Sequence, residues 1–185
     1  MAGVGVAVIG AVIAIVVATR GGSSGGTARA TDRPHSRDEL AERTFTALVA
    51  GDVSALEQLA DPAAQMQRTS TCPPSTAEET RGVVVAELKK HVEEFQRGAG
   101  NKGESAKVSV KAFREGPPPQ RLLKGADALE GCTFTVDLLI HTLTFDLQID
   151  DQRPLEARLM AMQVADDWYL LGIGYLEGLV NDSGG

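Results

Sequence analysis

An α+β fold, with N-terminal helices packed on a bent antiparallel sheet and one transmembrane helix in front, is what this chain predicts. Three observations carry the prediction. The chain before Arg20 is apolar and uncharged, apolar residues recur at helical spacing between Ser36 and Gly98, and the pattern changes to β-type alternation after Gly103. With 185 residues and 43% hydrophobic content, the chain has material for one core once its ends are set aside.

The first segment, MAGVGVAVIGAVIAIVVAT, has the length that crosses hydrocarbon as a helix, about 18 to 20 residues. Residues 1–20 are therefore expected to be a transmembrane anchor in contact with membrane lipid. A cleaved signal peptide is the rival reading; a basic n-region is missing, and Val16-Val17-Ala18 is only a tolerable cleavage site. No cysteine follows the run, so a lipidated cysteine is excluded as the anchor. Residues 21–35, rich in Gly, Ser and Thr, should form a flexible tether.

The charge balance excludes one class of partner. Residues 1–30 hold two of the 18 basic residues and no acid, which leaves 16 basic against 25 acidic residues in the remainder. No Lys or Arg cluster interrupts that excess, so nucleic acid is not expected as a ligand. Arg20, Arg29, Arg33 and Arg37 follow the apolar segment, and the positive-inside rule taken alone would leave the domain in the cytoplasm.

The folded part opens at Ser36, where Ser36 and Glu39 fit a capping box behind Pro34. Leu40, Phe45, Leu48 and Val49 give a helical stripe ending at Gly51-Asp52, and a short second helix runs from Val53 to Ala60 and stops at Asp61-Pro62. Ser75 with Glu78, and Thr76 with Glu79, place the start of a third helix near residue 76. Val84, Leu88, Val92 and Phe95 form its apolar face, and Arg97-Gly98 ends it. His91 borders that face as a packed or half-exposed residue, and His35 is expected to be solvated in the tether.

Residues 107–113 read as the first strand, GPPPQ breaks it, and LLKGADALEG is expected to be an irregular connection or short helical turn. In GCTFTVDLLIHTLTFDLQID, residues 131–150, Phe134, Val136, Leu138 and Ile140 share even parity, whereas Leu143, Phe145, Leu147 and Ile149 are odd. That change of face near His141-Thr142 predicts a β-bulge or tight bend. Residues 156–165 and 168–176 should be the last two strands, joined by a two-residue Asp166-Asp167 turn. The final strand is apolar on both faces, and Gly172 and Gly174 are expected to admit a helix closely. Residues 179–185 read as a disordered tail.

Chemistry is sparse. Asp137 and His141 share a strand face about 13 Å apart, too far for direct proton exchange, and are expected to be an outward carboxylate and a bulge marker. Three dispersed histidines and two cysteines 60 positions apart lack metal-ligand spacing, so neither metal nor cofactor is expected. Cys72, before a helix cap, and Cys132, at a strand start, are expected to form a disulfide; such a bond belongs outside the cytoplasm.

FTALVAGDVSALEQLADP, residues 45–62, and VADDWYLLGIGYL, residues 164–176, together resemble the nuclear transport factor 2-like superfamily, whose fold is also called cystatin-like. The resemblance covers most of residues 36–178 and implies a cone-shaped domain of helices on a bent sheet. It also implies a bacterial, single-pass protein with the domain on the extracytoplasmic side. Enzymes of that superfamily are isomerases and dehydratases with an Asp or His and Tyr partners in the cone. Here Asp137, His141, Tyr169 and Tyr175 are the residues that such a site could use, with Asp137 or His141 as general base. No specific enzyme signature is matched, so the expectation is a membrane-anchored binding or protein-interaction domain. Its object would be a small apolar ligand or an envelope protein, or a second copy of the chain through the sheet face, and a cavity enzyme is the alternative.

Overall fold

A computed structural model describes residues 33–99, 107–151 and 153–174. The expected anchor, the tether before Arg33 and the tail fall outside these residues, and no described helix is long and apolar enough to cross a membrane. The described part is α+β, four helices followed by an antiparallel sheet.

Helix α1 (Arg37–Ala50) is capped by Ser36, whose hydroxyl accepts from the Glu39 amide at 3.1 Å. The Glu39 carboxylate reaches past Ser36 and accepts from the His35 amide at 3.0 Å, one residue away from the expected capping box. That bond, aided by Arg43, holds the Glu39 carboxyl below its ordinary range. The helix stops at Gly51, in the left-handed region at φ 75°, where a Cβ would run into the Gln96 side-chain nitrogen. Helix α2 (Val53–Ala60) has Asp52 as its cap, the carboxylate accepting from the Ala55 amide at 2.9 Å.

Asp61-Pro62 ends α2 as expected, but it also starts a helix that the sequence reading lacks. Asp61 takes φ 37° and Pro62 stands at the first position of α3 (Pro62–Thr69), where its missing N–H costs nothing. Helix α4 (Pro74–Ala99) begins two residues before the expected start near residue 76, so Ser75 and Thr76 lie within its first turn. The Pro73 carbonyl accepts there from the Thr76 and Ala77 amides, at 3.0 and 3.3 Å.

The strands are β1 (Val108–Arg114), β2 (Gln120–Leu122), β3 (Asp127–Leu129), β4 (Cys132–Thr133), β5 (Leu138–Ile149), β6 (Leu155–Val164) and β7 (Asp167–Ile173). The main sheet runs β1-β5-β6-β7, with β2 pairing β5 beyond the end of β1, and β3 and β4 form a separate two-stranded sheet. The stretch expected as an irregular connection therefore holds the end of β2 and all of β3; three-residue strands are too short to show period-two alternation. The last hairpin turns at Ala165-Asp166, one residue early, with Ala165 at φ 52° and Val164 opposite Asp167.

The expected bulge at His141-Thr142 is absent. β5 pairs with β6 in unbroken register from Leu139 opposite Gln163 to Leu147 opposite Leu155. What changes along β5 is which face is covered. Leu143, Phe145, Leu147 and Ile149 join Ala157, Leu159 and Ala161 in the main core against α1, α2 and α4, while Leu138 belongs to a second cluster with Met162 and Tyr169 on the opposite face. The irregularities sit in the neighbouring strands, with Lys111 the extra residue of β1 and Leu171 that of β7. The second one lets Ile173 rejoin Trp168 and Leu170 in the main core. No helix approaches the β7 glycines: nothing lies near a Cβ at Gly172, and one at Gly174 would meet Cβ of Arg158 on β6 at 2.8 Å.

Candidate functional site

The second cluster borders a cavity of about 190 Å³. Its floor is sheet: Leu138 and Ile140 of β5, Met160 and Met162 of β6, and Leu170 and Leu171 of β7. One wall is helical, formed by Met66 of α3 and Thr80, Val83 and Val84 of α4; the facing wall comes from Leu122, Ala128, Leu129 and Phe134 in and around β2 to β4. Regular pairing of β5 with β6 puts the even-numbered residues of both strands on this side.

Among the described residues no carboxylate, imidazole, amine or guanidinium lines the cavity, and the polar side chains that do line it make hydrogen bonds within the fold. The Thr69 hydroxyl donates to the Gln65 carbonyl at 2.9 Å, Ser70 to the Met66 carbonyl at 2.7 Å and Thr80 to the Thr76 carbonyl at 2.8 Å. Gln65 donates through Nε2 to Sδ of Met162 at 3.1 Å. The surface offered to an occupant is therefore hydrocarbon, aromatic edge and thioether. Three of the chain's four methionines line it.

The residues considered for catalysis are not assembled there. Asp137 is exposed in the approach to β5, accepting from Arg121 Nη2 at 2.5 Å and from the Lys124 amide at 2.8 Å. The amide bond foremost, and then Arg121, lower its pKa, which suits a brace rather than a base. His141 has the parity of the main core. Its ring lies 4.7 Å from the Trp168 ring, and Nε2 is 3.2 Å from the Gln163 side-chain oxygen. Burial lowers its pKa, the Gln163 bond opposes this and the Arg37 charge reinforces it. Tyr169 is 2% exposed in the second cluster, with the Arg33 guanidinium 4.7 Å over its ring and its hydroxyl 3.5 Å from Nη1 of Arg68. Tyr175 lies outside the described residues. Among those described, no group of His, Cys, Asp or Glu is placed to hold a metal ion.

Cys72 and Cys132 lie at disulfide distance, their Cα atoms 5.0 Å apart, and both are buried. The pair joins the loop between α3 and α4 to the start of β4, at the edge of the cavity wall. Sequence reasoning found these two residues but missed the cavity. Met66 of α3 lies 94 and 96 positions before Met160 and Met162 of β6, and only the fold, through the unforeseen α3, brings them together. No family model, curated protein or solved structure matches this chain.

Proposed function

We propose that this chain is a membrane-anchored extracytoplasmic binding domain that takes a small, uncharged, apolar molecule between its helices and its sheet. The cavity carries the reading: its wall is mostly apolar, no charged side chain among the described residues lines it, and it slightly exceeds the roughly 150 Å³ that accommodates benzene. Flexible thioethers suit a site that adapts to its occupant.

The helices-then-sheet order and the space between the layers support the resemblance to the nuclear transport factor 2-like superfamily. The uncharged Met1–Thr19 segment supports a lipid anchor, and the Cys72–Cys132 pair supports an oxidising compartment. A partner protein or second copy on the sheet has less support, because Leu123 is the large apolar side chain left exposed among the described residues, and it stands on a turn. The sheet surface along β1, β5 and β6 instead carries Arg114, Asp146, Glu156 and Arg158 paired with one another. The isomerase or dehydratase alternative has less support, because no base lines the cavity among the described residues.

Full-length protein in lipid nanodiscs, labelled with ¹³C at the methionine methyls, tests the reading with indole as probe and benzoate as its charged counterpart. Saturable shifts of the Met66, Met160 and Met162 signals with indole alone are expected. Equal response to benzoate, or none to either compound, would refute an apolar site.

A further inference from the structure

We infer that residues 120–137 form a flap over the cavity, latched at its far end by the Cys72–Cys132 bond, which opens locally while the main core stays folded. As a control on ligand access this rests on the binding reading above; the opening itself is measurable without any ligand.

Three observations place the flap. First, it supplies one whole wall: Leu122, Ala128, Leu129 and Phe134. Second, its contacts set it apart from the main core. None of its side chains joins the main core, where Phe145, Leu147 and Leu159 sit, whereas Leu122, Phe134 and Val136 pack on the second cluster. Its attachment to the large sheet is three residue pairs, Gln120, Arg121 and Leu122 opposite Ile140, Leu139 and Leu138.

Third, its other end is stitched to the loop between α3 and α4. The Thr71 amide donates to the Thr133 carbonyl at 2.9 Å, the Thr133 amide to the Thr71 hydroxyl at 2.9 Å, and the Thr135 amide to the Thr69 carbonyl at 2.8 Å. Thr71 and Thr133 straddle this seam one residue from Cys72 and Cys132, so the covalent bond lies beside the hydrogen bonds that it protects. By closing a loop of 60 residues the bond stabilises the whole fold through the unfolded chain, and in the native state it adds a restraint on the seam alone. Segments with few core contacts open with their own, smaller free energy.

Amide hydrogen exchange on the full-length protein in nanodiscs tests this, comparing the bonded form with Cys72→Ser/Cys132→Ser. Exchange at Thr71, Thr133 and Thr135 should accelerate at least tenfold more than exchange at Phe145, Leu147 and Leu159, which report the loss of global stability. Equal acceleration at seam and core, including outright unfolding of the variant, would make the bond a staple of the whole fold alone and overturn the inference, as would no change at the seam. A second measurement needs no variant. In the bonded protein, exchange at Thr133 and Thr135 should depend little on added denaturant, as local opening exposes little surface; a dependence equal to that of Phe145 would also overturn it. Failure of indole to bind, with the seam opening as described, would remove the ligand and keep the flap.

Discussion

Strands β5 and β6 have two faces that were built differently. On one, Phe145 meets the Phe45 ring edge-on at 5.5 Å and the Phe113 ring at 5.1 Å, and Ala157 and Ala161 leave room for the helices; all but Phe113 of these five are buried. On the other, Met160 and Met162 with Leu138 and Ile140 border a space that no side chain fills. Branched and aromatic residues with few rotamers specify a dense core, whereas thioether chains leave a region adaptable. The contrast separates stability from binding within one pair of strands.

The largest effect that this contrast predicts is on the packed face. Phe145→Ala should cost about 3–5 kcal/mol, since the site is enclosed by two other rings and cannot collapse. Met162→Ala removes a chain that is equally buried but already borders empty space, and should cost near the lower end of about 2–5 kcal/mol. Denaturant unfolding of both variants gives the comparison directly. A larger loss at Met162 would mean that the cavity face, not the aromatic one, holds the fold.

The same contrast explains what was legible in the sequence. Helices α1, α2 and α4 announce themselves by caps and apolar stripes, and the final hairpin by two β-rich runs around a short polar turn. Helix α3 does not, because PAAQMQRT has little apolar content and its one strong mark, Pro62, reads equally as a stop. The parity change along β5 was visible, but its cause was not. Parity records which face is buried, and here the two ends of one regular strand bury opposite faces under different elements. Asp137 and His141 stood out only because polar residues are conspicuous in an apolar run; the cavity is made of residues that look like ordinary core until the fold brings them together.

A smaller effect should appear at His141, on the packed face but near its margin. Burial is the main cause of its lowered pKa, so the folded protein favours the neutral ring while the unfolded chain titrates near 6.5. Above that value neither state is protonated, and the contribution of His141 to stability is complete. As pH falls below it the unfolded chain takes up the proton first, and stability declines until the folded pKa is passed. His141→Gln should therefore change stability little at pH 8 and flatten the decline below pH 6.5. Unfolding curves at the two pH values would expose a structural role if the variant were already severely destabilised at pH 8.

The smallest global effect, and the sharpest local one, belongs to Asp137. It braces the turn between β2 and β3 by accepting from the Lys124 amide and from Arg121, and both interactions keep its carboxyl below the ordinary 3.8. Lowered in the folded state, the group gives its full contribution above pH 3.8, and loses it as pH falls through the folded value. Because Asp137 is exposed, water screens that contribution, and Asp137→Asn should leave the global unfolding midpoint near that of the parent at pH 7. The Lys124 amide should nonetheless exchange faster, because an amide oxygen accepts more weakly than a carboxylate and no longer holds Arg121. The main-core amides at Phe145 and Leu159 serve as the internal reference. If Lys124 kept its protection, the turn would be held by its own backbone; if Phe145 lost protection with it, the flap and the core would be one unit, and the division between the two faces of β5 and β6 would fail.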